Sequence, residues 1–128
     1  MKPLTLEWIE KAEEDYRVAY WVQREPIASP NAACFHCQQC AEKYLKALLT
    51  ENGTPFSRTH DLDILLDAAA QGSIPVEPFR RDLKFLSPFS VETRYPGVSA
   101  ELDDAVEALR IVTLFRKHAR ALLGLGTE

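Results

Sequence analysis

CFHCQQCAEKYLKALL, residues 34–49, places three cysteines and a histidine within seven positions and then continues as a run of Ala, Leu and Lys. The stretch reads either as a metal or redox site or as one face of a buried helix, and the choice sets the fold. A helix turns about 100° per residue. Cys34, Cys37, Ala41, Leu45 and Leu48 therefore share one face, with Tyr44 at its edge, while His36, Cys40, Lys43 and Ala47 fall on another. Thiols at i, i+3 and i+6 fan apart through about 120° on a straight helix, whereas zinc or an iron–sulfur cluster needs thiolates that converge on one point. The spacing imitates part of a ferredoxin run, but the further Cys-Pro is missing and no glycine lets the backbone wrap a cluster. Free buried cysteine packs as a small hydrophobe. Cys34 and Cys37 are thus expected in the core, Cys40 in the core or an interface, with no metal and no cofactor.

Ser29-Pro30 starts this helix, since Ser accepts a bond from a free amide and Pro has none to waste at the first helical position; Asn52-Gly53 stops it. Upstream, Trp8, Ile9, Ala12, Tyr16, Ala19 and Tyr20 recur at helical spacing, predicting a helix capped by Thr5 that runs to about Arg24 before Pro26. Downstream, Asp61 can cap LDILLDAAAQ, ended by Gly72, and VEPFRRDLKFLSPF is helical in its middle between Pro75, Pro78 and Pro88. Ser99 opens a last helix whose apolar stripe is Leu102, Val106, Leu109, Val112, Leu114, Phe115, Ala119 and Leu122. No segment alternates with period two. The pattern predicts an all-α, antiparallel up-and-down bundle of four long helices plus one short helix, in a single domain over residues 1–128.

The chain has 128 residues, 46% of them apolar and 27% charged, which suits one domain with its own core. Its formal charge of −4 argues against wrapping nucleic acid by bulk electrostatics, though a local basic patch is compatible with it. Charge enters every turn of the first helix, no stretch reaches membrane-spanning length, and the three cysteines are too few and too close for a disulfide framework. A cytoplasmic chain with reduced thiols and no membrane contact is expected.

Residues 34–49 also resemble the signature helix of the HEPN family, the higher eukaryote and prokaryote nucleotide-binding domains, in its small single-domain prokaryotic form. Trp8, Ala12 and Asp15 in the opening helix agree with it, as do Thr59-His60-Asp61-Leu62 with Leu65, and Thr93-Arg94-Tyr95-Pro96 before the last helix. The resemblance spans nearly the whole chain. It implies a helical homodimer, often encoded beside a minimal nucleotidyltransferase in a toxin–antitoxin-type pair. It also implies that active relatives are metal-independent ribonucleases carrying Arg, four to six residues, then His. This chain departs from that pattern. Arg58 lies two residues before His60, Arg116 two before His118 and Arg110 eight before it, while the positions a family histidine would take after Arg94 hold Ser99, Ala100 and Glu101.

Among the polar residues, Arg94 and Tyr95 sit in a Pro- and Gly-bounded loop before a helix, where an arginine and free amides can hold a phosphate; the alternative is a turn with Arg94 paired to Glu92 or Glu42. His60, beside Asp61 at a helix start, is a candidate for proton transfer or a residue that caps and packs. His36 and Lys43 share the less apolar side of the signature helix, either as a solvated face or as the lining of a dimer groove. Three functions follow. The first is a nucleotide- or RNA-binding partner of a nucleotidyltransferase, using Arg94, Tyr95 and Lys43. The second is a dimeric ribonuclease using Arg94 with His60 or His36, and the third is a structural assembly module.

Overall fold

The computed structural model describes residues 1–24 and 26–128 and is all helical, with no strand among them. Five α-helices occur in order: α1 (Pro3–Val22), α2 (Pro30–Asn52), α3 (Leu62–Gln71), α4 (Arg80–Leu86) and α5 (Leu102–Leu122). Short 3-10 turns at Glu77–Phe79, Ser87–Ser90 and Glu92–Arg94 fill the proline-rich region between α3 and α5, where each missing amide shortens a helix.

The local signals act much as the side chains dictate. Ser29 caps α2 by accepting from the Ala32 amide at 3.1 Å, with Pro30 in the first turn. Gly53 ends α2 at φ +70, a left-handed turn that glycine adopts without strain. The Asp61 carboxylate caps α3 by accepting from Asp63 N at 2.9 Å. Two starts are corrected. α1 begins at Pro3, with Lys2 before it, because proline suits the first helical position and Thr5 is needed inside the core rather than at the end. α5 is capped by Glu101, not Ser99, through a reciprocal box with Asp104, whose carboxylate accepts from Glu101 N at 2.9 Å.

Helix directions follow from the bonds that join their ends. Lys2 N donates to Glu51 at 3.1 Å, so α1 starts where α2 finishes and the two are antiparallel. Asn31 accepts from Ala100 N at 2.6 Å, which sets the starts of α2 and α5 side by side. Tyr16 bonds Thr113 at 3.1 Å, placing α1 antiparallel to α5 as well. Residues 53–61 carry the chain back along α2 as far as Gln38, which donates to the His60 carbonyl at 3.0 Å. α3 then descends until Asn52 donates to the Gly72 carbonyl at 3.1 Å. Any side chain at Gly72 would collide with Thr54 and Asn52.

α2 runs through the middle of the bundle, and its buried side meets every other helix. Tyr44, Leu45 and Leu49 of α2 pack with Leu62, Leu65 and Leu66 of α3, Leu83 and Leu86 of α4, and Ile111 and Phe115 of α5, all fully enclosed. Such side chains each contribute roughly 1.5–3 kcal/mol through burial. Cys34, Cys37 and Cys40 are all fully buried, so Cys40 belongs to the core and not to an interface. Parts of the predicted stripes turn outward: Tyr20 of α1 and Leu102, Val106, Leu114 and Leu122 of α5 are exposed.

Candidate functional site

Four polar residues flagged by the sequence gather around the one side of α2 that the bundle leaves partly open. Along it run Phe35, His36, Gln39 and Lys43, each partly exposed at helical spacing. α1 flanks this stripe on one side and residues 59–61 on the other, the latter brought there by the return of the chain along α2.

Two enclosed carboxylates organise the stripe. Asp15 of α1 accepts from Lys43 Nζ at 2.5 Å and from His36 Nδ1 at 2.8 Å. Glu42 of α2 accepts from Lys46 Nζ at 3.0 Å and from His60 Nδ1 at 2.9 Å, with Gln38 and Gln39 each donating to it at 3.3 Å. Each cluster thus sets one lysine and one histidine on one carboxylate. A buried carboxylate costs several kcal/mol unless cations and donors compensate it, and these partners supply that compensation. The solvated-face reading of His36 and Lys43 is therefore corrected, because Asp15 projects from the α1 stripe and ties both down.

The two clusters differ in exposure. The Glu42 side chain is 3% exposed, whereas that of His60 is 63% exposed. Since an ionised carboxylate only accepts, Nδ1 of His60 carries the hydrogen in this bond, and Nε2 lies on the far side of the ring. His60 lies in an open groove of about 620 Å³, which Lys84, Ser87, Ser90 and Glu92 also line. Both serine hydroxyls bond the backbone: Ser87 accepts from Leu62 N at 3.0 Å, and Ser90 donates to the Ser87 carbonyl at 3.2 Å.

Arg94 closes the turn that follows this groove. Its guanidinium stacks 5.3 Å from the centre of the Phe35 ring, and Phe35 in turn meets the His36 ring edge-on at 5.1 Å. Pairing of Arg94 with Glu92 or Glu42 is not found; among the described residues it enters no ion pair, and Glu42 is occupied by Lys46 and His60. A stacked guanidinium keeps its fork of donors available to an anion. Tyr95, beside it, is exposed. His118 lies elsewhere, against the Pro75 carbonyl at 2.7 Å.

The thiols make a poor reactive site. Burial, then the Asp104 charge, pushes the Cys34 thiol up to about 12, and burial drives Cys37 and Cys40 upward too, opposite to the shift of a nucleophilic or metal-ligating cysteine. Among the described residues no group of His, Cys, Asp or Glu is gathered to hold a metal ion. No helix there is long and apolar enough to cross a membrane.

Asp15 and Glu42 were not singled out as site residues by sequence alone. Asp15 had one usable signal, a carboxylate on a helical stripe otherwise of Ala and aromatic residues, and Glu42 stands four residues from both Gln38 and Lys46. Its bond to His60 needs the 53–61 return and has no local signature.

The HEPN domain family model matches residues 5–122. The crystal structure of an archaeal HEPN homologue is similar at 26% identity and a TM-score of 0.76, covering 96% of this chain and 99% of that one. TT1696 from Thermus thermophilus shares the fold at 23% identity and a TM-score of 0.67, covering 87% of this chain and 91% of its own. Among curated proteins none matches.

Proposed function

The chain belongs to the HEPN domain family, and from that premise we propose that it is a homodimeric binding module that holds the phosphate of a nucleotide or RNA end with Arg94, Tyr95 and Lys43, beside a minimal nucleotidyltransferase partner in a toxin–antitoxin-type pair. The observation that carries the reading is the gathering of Arg94, His36, Lys43 and His60 around the open side of α2. Arg94 supplies bidentate donors to phosphate, the exposed Tyr95 ring a surface for a base to stack on, and Lys43 a positive charge. Partner and pairing come from the family resemblance, whereas the ligand chemistry comes from these side chains. The departure from the Arg-to-His spacing of the family's ribonucleases favours binding over cleavage.

One feature supports the second reading, a ribonuclease. Glu42 fixes His60 through Nδ1 and leaves Nε2 free in the groove, which is how a general base is oriented. Calorimetric titration of the purified chain with mononucleotides and short RNAs, with gel analysis of the same RNAs after long incubation, separates the readings. Saturable binding with intact RNA supports the module, and cleavage that persists in chelator and disappears in His60→Ala supports the ribonuclease. Neither binding nor cleavage would leave only assembly.

A further inference from the structure

Gln39 stands midway along the open stripe of α2, four residues after Phe35 and four before Lys43, and it is the one member of that stripe with neither a ring nor a charge. Its amide is held by what lies beneath it. Nε2 donates to Gln38 Oε1 at 2.8 Å and to Glu42 at 3.3 Å, which uses both hydrogens of the group. Gln38, itself fully buried, spends its own amide hydrogens on Glu42 at 3.3 Å and on the His60 carbonyl at 3.0 Å. Turning the Gln39 amide over would set its oxygen against two groups that only accept there, so the orientation is fixed. The carbonyl oxygen of Gln39 therefore lies on the other side of the amide from this network, and among the described residues it enters no bond.

A fixed acceptor is a poor neighbour for a phosphate oxygen and a good one for a hydroxyl. The groups on either side of it are donors. Arg94 stacks on Phe35, one helical turn away, and Lys43 lies one turn in the other direction, a turn rising about 5.4 Å. A phosphate held by either cation thus sits about a turn from Gln39, and the part of a nucleotide that adjoins its phosphate is the sugar. Within a nucleic-acid chain the 3′ oxygen is esterified, so the donor that a sugar offers is the 2′-hydroxyl, which RNA has and DNA lacks.

We propose that Gln39 reads the sugar: its carbonyl oxygen accepts a hydrogen bond from a 2′-hydroxyl, and the site prefers ribonucleotide to deoxyribonucleotide chains for that reason. This rests on the phosphate-binding reading of Arg94 and Lys43 and deepens it by naming the residue that selects the ligand. Fluorescence anisotropy tests it with five-nucleotide oligomers of adenine and of uracil, each prepared as RNA, as the 2′-deoxy chain and as 2′-O-methyl RNA, whose sugar oxygen has no hydrogen to donate. The proteins are the unaltered chain, Gln39→Met and Arg94→Ala; methionine matches glutamine in length and helix propensity but brings no oxygen. The unaltered chain should bind RNA about three- to tenfold more tightly than either modified oligomer, with both bases. Gln39→Met should lose that preference by weakening RNA binding alone, whereas Arg94→Ala should weaken RNA and DNA alike. Equal affinity of the unaltered chain for the RNA and 2′-deoxy oligomers overturns the inference and leaves the phosphate reading intact. So does 2′-O-methyl RNA bound as tightly as RNA, a preference seen with adenine but absent with uracil, a preference that survives Gln39→Met, or a Gln39→Met variant weakened equally toward both sugars. Failure of the unaltered chain to bind any of the oligomers overturns both readings.

Discussion

Two carboxylates near the centre of the molecule solve one electrostatic problem with opposite outcomes. Glu13 of α1 lies among Arg116, which donates to it twice at 2.7 Å, Arg120 at 3.6 Å and the Tyr44 hydroxyl, and all three partners are themselves largely enclosed. Glu42 is buried more deeply, yet one of its partners, His60, stands mostly in water. The first cluster is closed, and its donors turn inward to Glu13, the Tyr44 hydroxyl and carbonyls of the chain end. The second keeps a ring nitrogen facing a groove. A buried charge whose partners are all enclosed locks helices together, and one that presents a partner to solvent can also position it for a ligand. The difference makes Glu13 a clamp between α1 and α5 and leaves the Glu42 side of α2 open to the ligand proposed above.

The sharpest break of this contrast is Glu13→Gln. It strands Arg116 and Arg120 without their counter-charge, and loss of one member of a buried pair costs about 3 kcal/mol, or about 10 °C in melting temperature for a chain of this size. Thermal melts should show that fall while affinity for any nucleotide or RNA ligand stays put. Glu42→Gln should cost less, about 2 kcal/mol, because it strands one permanent cation, Lys46, rather than two, and Lys46 also lies 5.4 Å from the Trp8 ring centre. Unlike the Glu13 variant, it should also impair binding or cleavage, since His60 loses its anchor. Equal functional loss in both variants would erase the distinction.

Smaller still is the acid limb of stability. Burial pushes the Glu13 carboxyl up, but the bonds from Arg116 and Tyr44 and the charges of Arg116 and Arg120 outweigh it and hold it below its ordinary 4.5. With the folded-state value depressed, Glu13 stabilises fully above about pH 4.5 and progressively less as pH falls through the lowered value. Melting temperature plotted against pH should therefore fall less steeply below pH 4.5 in Glu13→Gln than in the unaltered chain. His60→Ala closes the series, costing under about 1 kcal/mol because its ring is mostly solvated.

The fold was legible because its signals are local. The Cys34–Leu48 stripe, Ser29-Pro30, Gly53 and Asp61 each act through neighbours within a turn or two, and together they place α2 and its buried face. Apolar periodicity was less exact at the surface. Tyr20, Val106 and Leu114 continue their helical stripes, yet the stripes are wider than the core can cover, so these side chains emerge on the outer face. The site was legible only in part. Arg94, Lys43 and His60 are chemically conspicuous, but the carboxylates that hold Lys43 and His60 are contributed by helix packing and chain return, contacts between residues 28 and 18 positions apart. Sequence shows that such groups exist; only the fold shows which of them meet.

The central claim is that the open side of α2 binds a phosphate-bearing ligand through Arg94. A titration of Arg94→Ala with the nucleotide or RNA that the unaltered chain binds, paired with a melting curve on the same sample, tests it most directly. A charge-assisted bidentate contact is worth about 1.5–3 kcal/mol, so affinity should fall roughly ten- to a hundredfold while stability changes by less than about 1 kcal/mol. Unchanged affinity, with or without a lower melting temperature, would contradict the account and leave Arg94 as a stacking partner of Phe35 alone.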